Sequence, residues 1–226
     1  MITSAMLTGR ETGHVITLAD QHRLQPACAN AWQQLQHAAR AAGFNLQAAS
    51  SFRDFARQQA IWNGKFRGLR PVLDANSQPL DISTLTEREK IAVILRWSAL
   101  PGASRHHWGS DLDVYDPDLL AEGKKLQLEP WEYQQGGYFY PLSCWLDQHL
   151  AEFGFYRPFA KDLGGVATEP WHISYYPLAQ HCRQQLTLDV LLEAWNGQDI
   201  AGIDELKHQL PMIFQRFITP EAGQAS

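Results

Sequence analysis

The chain is poor in the features that mark several functional classes. It has three cysteines, Cys28, Cys144 and Cys182, widely spaced and outside any C-x-x-C pattern. That excludes a disulfide framework and a thiolate zinc site, and all three are expected as buried apolar side chains. There is no run of Lys or Arg, and 19 basic residues are outnumbered by 24 acidic ones, for a formal net charge of -5. Without a basic patch there is no electrostatic footprint for a phosphate backbone or an anionic bilayer, so neither nucleic acid nor membrane is an expected partner. The longest apolar stretches, such as Ile91 to Leu95, fall far short of the roughly 20 residues a spanning helix needs. Met1 to Asp20 shows no basic segment followed by an apolar one, because Arg10, Glu11 and His14 interrupt what hydrophobicity is there. These absences together lead to the expectation of a soluble, cytoplasmic protein. Internal repeats and low-complexity segments are missing as well.

What the chain does have is core-forming material. Its 226 residues are 45% hydrophobic and 11% aromatic, enough for one domain to bury its own core. Cys28, Trp32, Leu35 and Ala39 recur at three- to four-residue spacing between Pro26 and Gly43, which predicts an amphipathic helix with a proline at its start and a glycine at its stop. Phe44 to Ser50 alternates as a half-buried strand running into Ser51-Phe52-Arg53. A second helix is expected from Asp54 to about Lys65, and Gly64 to Thr84 is a long irregular excursion of the kind that often serves function. Thr86 to Glu89 has capping-box spacing and opens a third helix carried to Pro101-Gly102. Asp111, Asp113 and Tyr115 alternate with Leu112 and Val114, which predicts a strand whose Leu/Val face packs inward and whose Asp113 faces away from that packing. A loop over Glu129 to Pro141, a helix from Leu142 to Phe153, a strand over His172 to Tyr176 and C-terminal helices complete the reading.

Two histidines stand beside acids in turns rich in glycine and aromatics. In Ser104-Arg-His106-His-Trp-Gly109-Ser-Asp-Leu-Asp113, a loop imidazole precedes a glycine turn and a strand carrying a carboxylate, so the two groups can converge. Glu169-Pro-Trp-His172 supplies another imidazole and a carboxylate three residues earlier, held extended by the proline. A catalytic zinc site needs three protein ligands and an open position, with a nearby carboxylate to take a proton from water attacking a carbonyl. Either cluster alone is as compatible with surface hydrogen bonds or a core aromatic; their conjunction is what points to a metal centre.

These residues resemble the LAS metallopeptidases, in particular the VanY-like D-alanyl-D-alanine carboxypeptidase branch, marked by S-x-H-x-x-G-x-x-x-D followed by E-x-W-H. Both halves are intact, and Ser51-Phe-Arg53 with Gln58 is similar to the family's S-x-R segment and downstream glutamine, so the resemblance covers most of Phe44 to Tyr176. It implies one Zn2+ bound by His106, Asp113 and His172, with Glu169 as general base and Arg53 stabilising the oxyanion. A permanently charged, planar guanidinium suits that last role better than a mobile lysine. Ser104, Gln58, Ser51 and Trp171 are candidates to seat the substrate, although Ser104 is equally placed to cap a turn and Gln58 to be an exposed helix residue. His107 falls outside the motif register and is expected as a supporting or surface imidazole, as are His14, His22, His37, His149, His181 and His208. Arg157 is placed to meet a substrate carboxylate or to form a structural ion pair.

The expected fold is α+β: one domain with a core over about 26–177, in which a small antiparallel sheet carries the zinc site and helices flank it, and a helical C-terminal extension over about 178–226, which the resemblance does not reach. The expected function is zinc-dependent removal of a C-terminal D-Ala from peptidoglycan peptides. A cytoplasmic D,D-carboxypeptidase would destroy the pentapeptide precursor, whereas an L,D-carboxypeptidase would turn tetrapeptide into reusable tripeptide, so L,D cleavage in cell-wall recycling is favoured over D,D cleavage. A zinc-stabilised binding module without hydrolysis is the alternative of another class, and Glu169 together with Arg53 argues against it. A phage-type endopeptidase is disfavoured by the 64–84 excursion and by C-terminal helices in place of a wall-binding repeat.

Overall fold

The computed structural model describes residues 2–219. The chain opens with a short helix α1 (Ser4–Leu7), a hairpin of β1 (Ile16–Thr17) and β2 (Arg23–Leu24), helix α2 (Pro26–Ala41) and strand β3 (Gln47–Ser50). Helix α3 (Phe55–Phe66), a hairpin of β4 (Val72–Leu73) and β5 (Pro79–Leu80), helix α4 (Glu87–Leu95) and strand β6 (Asp111–Tyr115) follow. Then come α5 (Pro130–Tyr133), α6 (Tyr140–His149), β7 (Phe155–Tyr156), β8 (His172–Tyr175), α7 (Tyr176–Gln185), α8 (Leu188–Trp195) and α9 (Ile203–Ile213). This is the expected α+β arrangement. Among the described residues, no helix is long and apolar enough to cross a membrane.

Local chemistry accounts for the helix boundaries. Pro26 sits in the first turn of α2, where a missing N–H costs nothing, and Gly43 turns the chain out at φ +90°. Asp54 caps α3 by accepting from the Arg57 N–H at 2.8 Å. Thr86 and Glu89 close a reciprocal capping box at the start of α4. That helix ends at Leu95, short of the expected Pro101. Trp97 beyond it instead gives its indole N–H to the Asp74 carbonyl. The strand expected from Phe44 begins only at Gln47, because the Asn45 N–H is taken by Asp116 at 2.9 Å. The 64–84 excursion holds the β4–β5 hairpin.

The central sheet has the order β3-β6-β8-β7, with every pair antiparallel. Leu112 pairs with Ile173, while Asp113 pairs with His172 and Asp111 with Ser174. Alternation along each strand then puts the apolar pair on one face and the polar pairs on the other. Leu112, Val114 and Ile173 bury themselves against Trp32 and Leu35 of α2 and Leu142 and Leu146 of α6. A second core, with Trp62 and Phe66 of α3, Ile91 and Ile94 of α4, Cys182 of α7, Leu191 of α8 and Leu206 of α9, lies outside that packing. The helices after residue 178 are thus bound into the same cluster as α1, α3 and α4. All three cysteines are free, and Cys144 is half-buried rather than buried, since it lies on the side of α6 away from Leu142 and Leu146.

Candidate metal centre

The sheet register is what assembles the centre. Asp113 and His172 face each other across β6 and β8, and a short 3-10 turn, Arg105–Trp108, brings His106 over the same face. The turn ends at Gly109, whose φ is +69°. A Cβ there would meet Val15 Cγ1 at 2.5 Å and the Gln25 N at 3.1 Å, so the motif's glycine serves both a left-handed backbone and a close approach.

Each imidazole has one nitrogen fixed from outside. His106 Nδ1 lies 2.8 Å from the Ser51 carbonyl. A carbonyl only accepts, so Nδ1 carries the hydrogen and Nε2 presents a lone pair inward. His172 Nε2 lies 2.8 Å from Asp111 Oδ1, which turns Nδ1 inward. The inward atoms stand 3.3 Å (His106 Nε2 to Asp113 Oδ2) and 3.4 Å (His172 Nδ1 to Asp113 Oδ1) apart. These separations are long for hydrogen bonds. They match the edge of about 3.3 Å for a tetrahedron with ligands at roughly 2.0–2.1 Å from a zinc ion. All three residues are buried and offer ligand atoms within 4.8 Å of one another. Asp113 Oδ1 is buried with no hydrogen-bond partner, an orphan that a cation would satisfy. Two imidazoles and a carboxylate form a donor set suited to zinc.

Asp111 and Arg105 stand behind His172, and neither was among the residues expected at the site. Arg105 Nε donates to Asp111 Oδ1 at 2.8 Å, and its other end reaches the Tyr156 hydroxyl and Ser174 Oγ at 2.8 and 2.7 Å. Burial would push the Asp111 carboxyl up, but the Arg105 charge and the bond from His172 hold it well below the usual carboxylate range. His172 is itself desolvated, which lowers its pKa, yet the hydrogen bond to Asp111 and the Glu169 and Asp113 carboxylates beside its ring raise it to about 9. Carboxylate–imidazole pairs of this kind orient a metal-binding ring and strengthen its basicity. The available signal was Asp111, two residues before Asp113 and hence on the same strand face.

The remaining candidates divide into residues that line the cavity and residues that support it. Glu169, mostly buried, has Oε2 at 3.3 Å from His172 Nδ1. Arg53 gives one guanidinium nitrogen to Gln58 Oε1 at 2.8 Å and another to Ser50 Oγ at 3.1 Å. Gln58 is fully buried and also donates to the Ala99 carbonyl. A cavity of about 390 Å³ is lined by Arg53, Ser104, His106, Asp113, Glu169, Trp171 and His172. Gln58 and Ser51 do not line it, contrary to the expectation that they seat the substrate. Gln58 lies beneath Arg53, while the Ser51 hydroxyl meets His22 and the Arg23 N–H and its carbonyl fixes His106. Trp171 packs against Tyr133 from the cavity edge.

His107 is wholly buried and bridges two backbone segments. Its Nδ1 bonds the Arg53 carbonyl at 2.6 Å and its Nε2 accepts from the Gly102 N–H at 3.0 Å. That pattern needs a neutral ring, and burial drops the pKa to about 3. Arg157 pairs with Asp147 and bonds Ser143, so it takes the structural option.

The sequence model described as VanY, D-alanyl-D-alanine carboxypeptidase, matches residues 21–178. An uncharacterized protein of Haemophilus influenzae is 49% identical over 121 residues, 53% of this chain and 92% of that protein. The D-alanyl-D-alanine carboxypeptidase of Enterococcus faecalis is 27% identical over 146 residues, 63% of this chain and 44% of that protein. Among solved structures, VanYB in complex with D-alanine-D-alanine is similar with a TM-score of 0.53 at 25% identity, over 79% of this chain and 87% of that one. A variant of the VanY D,D-pentapeptidase in complex with Zn(II) gives a TM-score of 0.52 at 26% identity, over 79% and 88%.

Proposed function

This chain belongs to the VanY family of D-alanyl-D-alanine carboxypeptidases, and on that premise we propose that it is a zinc carboxypeptidase releasing a C-terminal D-Ala from peptidoglycan peptides. The observation that carries the proposal is the convergence of three metal-facing atoms, His106 Nε2, His172 Nδ1 and an orphaned Asp113 oxygen, with Glu169 and Arg53 in one cavity. Zinc held by those three residues supplies Lewis acidity at the scissile carbonyl. Glu169 takes a proton from the attacking water and returns it to the departing amino group. The Arg53 guanidinium, fixed by Gln58 and Ser50, donates to the oxygen on which negative charge develops. Phe159 and Trp171 supply apolar wall to the site, Phe159 standing edge-on to the His172 ring. A zinc site with a binding role alone requires neither a base nor an oxyanion partner.

The finer reading is L,D cleavage, tetrapeptide to tripeptide, in cytoplasmic recycling of wall peptides. Its support is metabolic chemistry, since an enzyme sharing a compartment with the pentapeptide precursor has to spare it. D,D cleavage is the second reading, favoured by the Enterococcus faecalis relative and by the VanY structure crystallised with D-alanine-D-alanine. Mass spectrometry of products from zinc-loaded protein, with tetrapeptide and pentapeptide in parallel and Glu169→Ala as control, decides between them. D-Ala released from tetrapeptide alone is expected; release from pentapeptide alone establishes D,D cleavage. No Glu169-dependent product from either overturns the carboxypeptidase reading.

A further inference from the structure

Helix α3 turns one face towards the cavity, and its two later turns reach the wall. Gln58, Ile61 and Lys65 recur at three- and four-residue spacing and share a face, with Gln58 sealed under Arg53 and with Ile61 and Lys65 on the cavity wall. Seven residues of rise put Lys65 roughly 10 Å along the wall from Gln58. Helical side chains lean towards the N-terminus, so the Lys65 ammonium is directed back towards Arg53. It is partly buried and donates to Ser98 Oγ at 2.8 Å. Among the described residues, no carboxylate lies within ion-pair distance of it. Burial lowers its pKa, and the charge of Glu169 opposes that shift only in part.

A second cation is built beside it. The N–H groups of Leu69 and Arg70 both bond the Gly64 carbonyl, at 2.8 and 3.0 Å, which folds the chain back at the end of α3. The Arg70 stem then lies on Gly64, where a Cβ would meet its Cδ at 2.9 Å. Arg70 lines the same cavity as Lys65 and Ser98. With neither paired to a carboxylate among the described residues, the two neighbouring cations repel one another, and an anion arriving between them relieves that repulsion and the desolvation of Lys65.

We propose that Lys65, Arg70 and the Ser98 hydroxyl receive the C-terminal carboxylate of the substrate, so that the cavity reads a free chain end and only the last residue is removed. This rests on the carboxypeptidase reading and identifies the part of the cavity that makes the enzyme an exopeptidase. The test is calorimetric binding to zinc-loaded protein carrying Glu169→Ala, which holds peptide without cutting it. Three probes are compared: a peptide ending in D-Ala acid, its C-terminal amide, and the acid with its side-chain carboxylates amidated. The parent is expected to prefer acid over terminal amide by about 100-fold, the upper range for charge-assisted hydrogen bonds. Lys65→Met, which keeps the apolar stem, and Arg70→Gln, at an exposed position, are each expected to cut that preference about tenfold while leaving amide binding unchanged. No preference in the parent, an intact preference in Lys65→Met, or a preference that follows the side-chain carboxylates overturns the assignment. Loss of hydrolysis in protein with Glu169 intact would strike the function instead, because binding reads the subsite separately.

Discussion

One wall of the cavity is a sheet and the other is a gathering of helix ends, and the two are assembled by opposite means. On the sheet wall, Asp113 and His172 are direct partners in the β6–β8 ladder, and His106 is tied to the strand end through Ser51. A slip of one residue would send Asp113 and His172 into the apolar core, so the packing of Leu112 and Ile173 also secures the metal centre. On the opposite wall, Lys65, Trp97, Val166 and Phe217 arrive from four distant segments, Val166 and Phe217 through the second core and Trp97 through a separate cluster with Tyr133, Phe139 and Trp171. Chemistry is thus placed by register, and cavity shape by helix packing.

Variants should separate the two walls. The largest effect is expected from Glu169→Ala: turnover falls by about a thousandfold or more, within the range for a positioned acid–base group. Zinc stays at one per chain by elemental analysis, because this carboxylate is not among the three ligands. Next is Asp111→Asn, which removes the charge that orients His172 and should weaken zinc affinity by about 10- to 100-fold in a chelator competition. An equal loss from Phe217→Ala would erase the distinction between the walls. That substitution, in the second core, should cost about 3 kcal/mol of stability in urea unfolding and leave zinc affinity unchanged.

The last prediction concerns pH. His107 is neutral in the folded protein with its pKa near 3, against 6.5 for an unperturbed ring. The unfolded chain therefore takes the proton first as pH falls through about 6.5. This residue's contribution to stability is complete above that pH and is lost at about 1.4 kcal/mol per pH unit down to about 3. An NMR titration should find its ring neutral down to about pH 4, and protonation at pH 6 would contradict the buried bridge between Arg53 and Gly102.

The same division explains what could be read from the sequence. Elements with their own punctuation are legible: α2 between Pro26 and Gly43, α4 behind its Thr86 box, and β6 through its alternation. The three metal-facing residues and Glu169 carry spacing that marks them before any fold is known. Hairpins of two-residue strands, β1–β2 and β4–β5, are too short to show a period. Gln58 read as a substrate contact, because one glutamine on a helix gives no sign that Arg53 will cover it. Asp111 was visible as an acid on the Asp113 face, but its partner Arg105 looked like a spacer in the motif. Lys65 and Arg70 have no motif, since their proximity depends on the fold-back at Gly64.

X-ray absorption at the zinc edge, combined with anomalous diffraction from the zinc-loaded protein, tests the centre most directly. One zinc is expected per chain, bound by two imidazoles and a carboxylate at about 2.0–2.1 Å, with the anomalous peak between His106 Nε2, His172 Nδ1 and Asp113. A sulfur shell, or a peak away from these three residues, would contradict the account.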